Sequence, residues 1–394
     1  MLDSIFIGMT GLTGYSKGLQ VIANNTANMN TPGFKTSVLQ YTDMFYSDSG
    51  MANHGGLDQQ YGHGLSTLGT SLHFVQGQLQ QTGNATDMAV DGDGLFILRD
   101  DKGDLHYTRA GQFSYTADGL LINTTDGQQV MGLGSTGELV PISLAGKKST
   151  PGEATTKVTF SGNLSSTGTT QTISSINVID ALGGSHTLSL TFTNTSTTTP
   201  NSWSVALMEG TTTVGTSQLV FENGSPSAAT SALQFTYTPA GGAAMPLELD
   251  FGQDVTSYSA GTVSTLAVGK VDGFTDGQLT KTAFDETGTM TITYSNGQTA
   301  KGGQVALARF GSVEDIRAIG NNQYVTVGTQ PLQTGAGGGN EFGTVHGGEI
   351  ETSNVDLSQE FSQLVVVQRG YQASSQIVST ANDMLQDLYA MKSK

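Results

Sequence analysis

Large apolar residues recur at alternating intervals of three and four in two places, at opposite ends of the chain. Near the start Leu2, Ile5, Met9, Leu12, Leu19 and Ala23 keep this spacing, with Ser16 and Thr26 as polar members. Near the end Leu357, Leu364, Tyr371, Val378 and Leu385 recur every seven residues, and Val367, Ser374, Ala381 and Leu388 supply the second position. These are heptad seams, and they predict helices over residues 1–30 and 350–394. Ser353 or Asn354 can cap the second helix, with Asp356 and Glu360 in its first turn. At 1.5 Å per residue it could run about 50 Å. Burying each large seam side chain contributes ~1.5–3 kcal/mol, but only against a partner helix. The two ends therefore predict a coiled-coil-like terminal domain made by helices that meet.

Gly8, Gly11, Gly14 and Gly18 interrupt the first helix, each costing about 1 kcal/mol against Ala. That predicts a segment disordered in the free monomer and ordered on assembly. Small residues also let helices approach closely. The seam ends at Pro32-Gly33, and residues 31–75, rich in Gly, Ser and His, read as an extended connector.

Between the ends the period changes to two. Leu95 to Leu98 is an apolar run, followed by a hairpin turn at Asp100-Asp101-Lys102-Gly103-Asp104. The clearest alternation comes later, in four strands: Leu188, Leu190, Phe192; Trp203, Val205, Leu207; Leu233, Phe235, Tyr237; Leu247, Leu249, Phe251. Ser, Thr and other small or polar residues stand between, so one face is buried and one is wet. Met290, Ile292 and Tyr294 then meet Asn296-Gly297, a hairpin signal. The expected fold is mainly β with helical termini. An inner β domain is split between 76–145 and 270–349, and an outer β domain at 146–269, a sandwich or barrel, is inserted in it.

Composition narrows the functions. With 33 acidic and 16 basic residues among 394 the net charge is −17, which repels nucleic acid and anionic membranes. No Cys is present, so disulfides, thiol catalysis and Cys-ligated metals are excluded. Asp3 stands where a secretory signal would carry cations, and no run reaches the ~18 apolar residues that span a bilayer. An exported chain would need another route that reads this terminus and leaves it uncut.

Candidate chemistry is sparse. Asp91-Gly92-Asp93-Gly94 begins like a calcium loop, but Leu95 and Lys102 stand where ligands are needed. Gly92-Asp93-Gly94 lacks the third glycine and helix of a dinucleotide loop. His54 and His63 lie in a glycine-rich loop with only Asp58 near, and His73, His106, His186 and His346 are dispersed. The expectation is no enzyme, no metal and no cofactor.

One string is more specific than its composition. It runs Ala23-Asn24-Asn25-Thr26-Ala27-Asn28-Met29-Asn30-Thr31-Pro32-Gly33-Phe34-Lys35. A second is Tyr107-Thr108-Arg109-Ala110-Gly111-Gln112-Phe113, continuing through Asp118-Gly119-Leu120-Leu121 to Val130-Met131-Gly132. A third joins Ser353-Asn354-Val355-Asp356-Leu357, Gln368-Arg369-Gly370-Tyr371-Gln372-Ala373 and Thr380-Ala381-Asn382-Asp383-Met384-Leu385. In this order the three resemble the signatures of the bacterial flagellar axial proteins, the rod and hook family. The resemblance covers about 1–145 and 270–394. It assigns Asn24, Asn25, Asn28, Asn30, Thr31, Pro32, Gly33, Phe34 and Lys35 to the family motif, and the apolar positions Leu2, Ile5, Met9, Leu12, Leu19, Leu357, Leu364, Val367, Tyr371, Val378, Leu385 and Leu388 to helix seams used in assembly.

Rod subunits resemble these ends plus one β domain; the ~120 residues inserted here are similar to the layout of hook subunits. The resemblance implies a helical homopolymer outside the cell, a curved tube that transmits torque as a universal joint. It implies type III flagellar export, and contacts with a hook cap, the distal rod and hook–filament junction proteins. A distal rod subunit is the nearest alternative. A secreted adhesin or a glycan-acting enzyme is an alternative of another class, and differs in not needing the terminal helices.

Overall fold

The computed structural model describes residues 2–48, 60–252, 254–327, 332–339 and 341–392. Helix α1 covers Leu2–Ala27 and helix α2 covers Leu357–Lys392, with strands between them. The chain divides into two compact units. One comprises Met1–Ala145, Thr282–Ile292 and Ala300–Lys394; the other comprises Gly146–Lys281 and Thr293–Thr299.

The second unit is built from two sheets around one core. The first sheet orders Ala232–Tyr237, Met245–Asp250, Lys157–Asn163 and Val255–Thr256, with Ala267–Val271 also on Lys157–Asn163. The second runs in sequence order from Thr170–Ile179 through Ser185–Asn194, Ser202–Glu209 and Thr212–Glu222 to Ser225–Pro226. All twelve residues of the four alternating strands are buried, and side chains from both sheets form one cluster. Strict alternation has this result because successive side chains leave a strand on opposite faces. Phe251 is at the centre, stacked on Phe160 at 4.7 Å and edge-on to Phe192 at 5.8 Å. The Asn296-Gly297 turn closes its hairpin, with Gly297 at φ +78° donating to the Tyr294 carbonyl.

In the first unit Leu95–Arg99 pairs with Leu105–Thr108, which pairs with Gln323–Thr326. The turn at 100–104 is held by Asp100, whose Oδ1 accepts from the amides of Lys102 and Asp104. Ile97, Tyr107, Met131, Ala308 and Tyr324 are among the buried residues of this core, and Phe74 packs on Tyr324 at 5.2 Å.

The segment read as an extended connector is partly a β ribbon. Ser37–Asp43 and Leu65–Leu72 pair antiparallel from Ser37↔Leu72 to Asp43↔Leu65. Neither strand buries a residue. The half-buried positions of Ser37–Asp43 are Ser37, Leu39 and Thr42, polar and apolar mixed, so hydrophobic periodicity does not reveal these strands.

Replacing Phe251 by Ala removes a ring packed on two others and should cost about 3–5 kcal/mol. Urea unfolding of the full chain should show the loss in the transition of the second unit; an unchanged transition there would contradict the placement of Phe251 at the core.

Candidate functional site: a glycine-seamed helix pair and its buried anchor

The two helices pack antiparallel through α1's smallest side chains. α1 buries Gly8, Gly11, Gly14, Gly18, Ile22 and Asn25. A Cβ on Gly8 would lie 2.6 Å from Val378 Cγ2, one on Gly11 2.6 Å from Ser374 Oγ, and one on Gly18 3.2 Å from Val367 Cγ1. From α2, a Cβ on Gly370 would lie 2.6 Å from the Tyr15 ring. No side chain larger than hydrogen fits at Gly8, Gly11 or Gly370 unless the partner moves.

The predicted apolar positions divide accordingly. On α2, Val367 and Val378 meet α1, and Leu357, Leu364 and Leu385 are half-buried, while Tyr371 and Leu388 are exposed. On α1, Ile5, Leu12 and Leu19 are half-buried, while Leu2 and Met9 are 75% and 55% exposed. The face of α1 turned to α2 thus has heptad spacing but starts one residue earlier than the large apolar residues, about 100° around the helix. Apolar size set the predicted phase; closeness of approach sets the observed one. The large side chains are left pointing away from α2.

Below the pair, the Asn-rich string turns the chain back. Asn28 Nδ2 donates to the Asn24 carbonyl at 2.9 Å and Thr31 Oγ1 donates to Asn28 Oδ1 at 3.0 Å, while Asn24 and Asn30 are exposed. Pro32 accepts from Asn322 Nδ2 at 2.8 Å, and the Phe34 carbonyl accepts from the Asn354 amide at 3.3 Å. Gly33 sits at φ +71°, where a Cβ would fall 2.5 Å from the Ala110 nitrogen. Its amide donates to the Glu351 carbonyl at 2.8 Å.

This turn delivers Lys35 into a buried charge cluster. Lys35 Nζ donates to Glu351 Oε1 at 2.5 Å and to the Val75 carbonyl at 2.9 Å. The same carboxylate oxygen accepts from the Gly77 amide at 2.7 Å. Arg109 Nη1 lies 3.5 Å from Glu351 Oε2 and donates to the Val90 carbonyl at 2.7 Å; Nη2 donates to the Gly92 carbonyl. All three charged side chains are buried. Burial pushes both cations below their ordinary pKa values, and Glu351 opposes the shift. One anion facing two cations is balanced by three backbone carbonyls.

A second polar contact lies just above. Asn25 Nδ2 donates to the Ser37 carbonyl at 2.9 Å and to Glu360 Oε1 at 3.0 Å, while its Oδ1 accepts from the Ser37 amide at 3.1 Å. Burial raises the Glu360 carboxyl above its ordinary value, with the Asn25 contact opposing. Asn354, read as a helix cap, instead ties the Thr36 amide to the carbonyls of His73 and Val75. The cap is Asp356, whose Oδ1 accepts from the Ser358 and Gln359 amides. Sequence reasoning missed Glu351: nothing in the short strand Glu349–Glu351 distinguishes it from its half-buried acidic neighbour Glu349.

The dispersed candidates form no reactive centre in the described residues. Asp91 accepts from Gln76 Nε2, and Asp93 lies 3.6 Å from Arg309, in a turn with Gly92 and Gly94 at positive φ. His63 stacks on Phe45 at 4.7 Å, while His54 and Asp58 lie outside the described residues. No group of three or more metal-binding side chains occurs among the described residues.

Three family profiles match the chain: "Flagella basal body rod protein" at residues 5–35, "Flagellar hook protein FlgE/F/G D1 domain" at 89–170, and "Flagellar basal body rod FlgEFG protein C-terminal" at 346–391. Each matched stretch contributes one member of the charge cluster: Lys35, Arg109 and Glu351. From end to end the chain is similar to the flagellar rod and hook family. Flagellar hook protein FlgE of Borreliella burgdorferi is 28% identical over 447 residues, covering 100% of both chains. The FlgE proteins of Salmonella typhimurium and Escherichia coli are 28% and 26% identical, each covering 98% of both chains. The crystal structure of Helicobacter pylori flagellar hook protein FlgE2 shares this fold with a TM-score of 0.52 at 14% identity, over 69% of this chain and 100% of that one.

Removing one partner of a buried ion pair costs about 3–5 kcal/mol, because the other charge stays behind unpaired. Glu351→Gln leaves Lys35 and Arg109 side by side without their anion, whereas Lys35→Met leaves Glu351 with Arg109. Urea unfolding should therefore show the larger loss for Glu351→Gln; the reverse order would contradict the central role of the carboxylate.

Glu360 gives a pH signature. Its folded-state pKa is raised, so its contribution is fully present below the ordinary Glu value of about 4.3 and is lost as pH rises through the raised value. Glu360→Gln keeps an acceptor for Asn25 and removes the titration. Denaturation curves should show the variant gaining on the parent as pH rises from 4 to 8; a constant difference would refute the burial cost.

Proposed function

We infer that this chain is the structural subunit of a bacterial flagellar hook, and that its paired helices are the elements through which copies polymerise. The observation that carries this is the helix pair, which meets through glycines and leaves Leu2, Phe6, Met9, Phe361, Val365 and Tyr389 exposed. A single chain with so much bare apolar helix is incomplete in water. End-to-end likeness to hook proteins, including the inserted second unit, favours hook over distal rod.

In this reading the helices line a tube, and the buried anchor fixes their direction relative to the inner β unit. The second unit carries Ser and Thr on its solvent faces, such as Thr187, Ser189, Thr191 and Thr193 in one strand. Small polar contacts of that kind have several near-equal arrangements, which suits surfaces that slide as a curved tube turns. The hook cap, the distal rod, the hook–filament junction proteins and the type III export apparatus are the partners this role requires. No catalytic step is part of the role.

Electron microscopy of concentrated full-length chain should show curved tubes, and protein lacking residues 1–30 and 355–394 should remain folded without forming any. Straight, stiff tubes would favour a rod subunit. Tubes formed by the truncated protein would refute assembly through the helices.

A further inference from the structure

The helix pair has an apolar hollow near one end and an apolar tip at the other. The hollow is a groove of about 360 Å³ whose lining includes Gly18, Ile22, Val38, Tyr41, Val366 and Val367. It lies where α1, α2 and the ribbon strand Ser37–Asp43 converge, and no charged residue lines it. The tip is the end of α2. Gly8 is level with Val378 and Gly11 with Ser374, so the start of α1 comes level with about residue 385. The last residues of α2 run on past it, with Tyr389 68% and Met391 74% exposed.

Charge selects the occupant. Two chains of net charge −17 repel each other over most of their surfaces. By sequence, α1 carries one acid, Asp3, and one base, Lys17; α2 carries the acids Glu360, Asp383 and Asp387 and the bases Arg369 and Lys392. The pair therefore carries a net charge of only −1, and a second copy can approach here with the least repulsion. A basic partner would gain nothing from a groove without charge. The end of α2, with Asp387 offset by Lys392, brings apolar side chains at no net charge.

We propose that the tip of α2 in one copy, centred on Tyr389, seats in the groove beside Val366 of a second copy, head to tail. This rests on the hook-subunit reading and adds the contact that propagates it. Val366 and Tyr389 are 23 residues apart on one helix, about 35 Å along its axis. A hollow and a tip at opposite ends of one rigid pair form a heterologous contact, which repeats into an open strand of subunits and does not close on a dimer.

The absence of native Cys makes the test direct. Full-length chain carrying both Val366→Cys and Tyr389→Cys is polymerised under reducing conditions, then oxidised and run on a denaturing gel. Disulfide-linked species well beyond dimer are expected, and only dimers from a mixture of the two single variants. Arrest of the double variant at dimer would indicate a two-fold contact and overturn the proposal, as would polymer with no cross-link. A second variant guards against cysteines that block assembly. Val366→Asp changes an exposed side chain, so the fold is retained, and it should raise the concentration needed for polymerisation at least ten-fold. The same change at Leu182, exposed in a turn of the other unit, should not. Unchanged polymerisation of Val366→Asp would refute the groove. If the unaltered chain forms no polymer at all, the hook-subunit reading fails and takes this contact with it.

Discussion

The carboxylate of Glu351 is the point on which the rest of the first unit depends. It joins the return strand before α2 to Lys35 after α1, to the Gly77 amide beyond the ribbon and to Arg109 in the inner sheet. These segments are up to 316 residues apart in sequence. A buried ion pair adds little net stability over apolar residues of the same size, since desolvation offsets most of the attraction. It does penalise every misaligned arrangement, because a slip leaves a charge in a dry interior. Apolar packing at the same place would tolerate rotation of the helix pair about its root; a carboxylate held between Lys35, the Gly77 amide and Arg109 does not. The anchor therefore trades stability for direction.

Above the anchor the requirement is proximity. Glycine is a poor helix former in isolation, but along the α1 seam it lets two backbones come close enough for Val367, Ser374 and Val378 to press on α1 itself. The helix is weaker alone and better matched to its partner. The same choice sends the bulky residues elsewhere. Had Met9 and Leu12 formed the seam, α1 would have satisfied its apolar side within the chain and left little for a neighbour. With glycine inside, the bulk faces out.

Some of this was legible in sequence and some was not, for definable reasons. The strands around Phe251 could be read because a covered face and a wet face alternate along them. Both terminal helices could be read from their period. The phase of α1 could not, since apolar spacing marks a stripe that wants burial without saying whether the same chain or another one buries it. The ribbon strands Ser37–Asp43 and Leu65–Leu72 escaped because their half-buried positions mix Ser and Thr with Leu. Within the anchor, Lys35 lay inside a specific string, but Glu351 had no local mark: its meaning comes from donors brought in by three other segments. Asn354 likewise resembles a helix cap until the amide and carbonyls it binds are in place.

Stability and assembly thus make opposite use of polarity. Inside the unit, at the root of the helices, the chain places charge where charge is costly, and gains a single geometry. On the two helices it balances charge almost completely, in a molecule whose net charge is otherwise strongly negative, and in the proposed assembly that gives a place where copies can meet. Neither arrangement serves alone. An apolar helix pair on a loose root could meet its neighbours at many angles and make aggregates without a lattice. A fixed root bearing charged helices would point in a defined direction with nothing to dock. In the proposed assembly, direction set by Glu351 and adhesion at helices of almost no net charge together allow one contact to repeat identically from copy to copy.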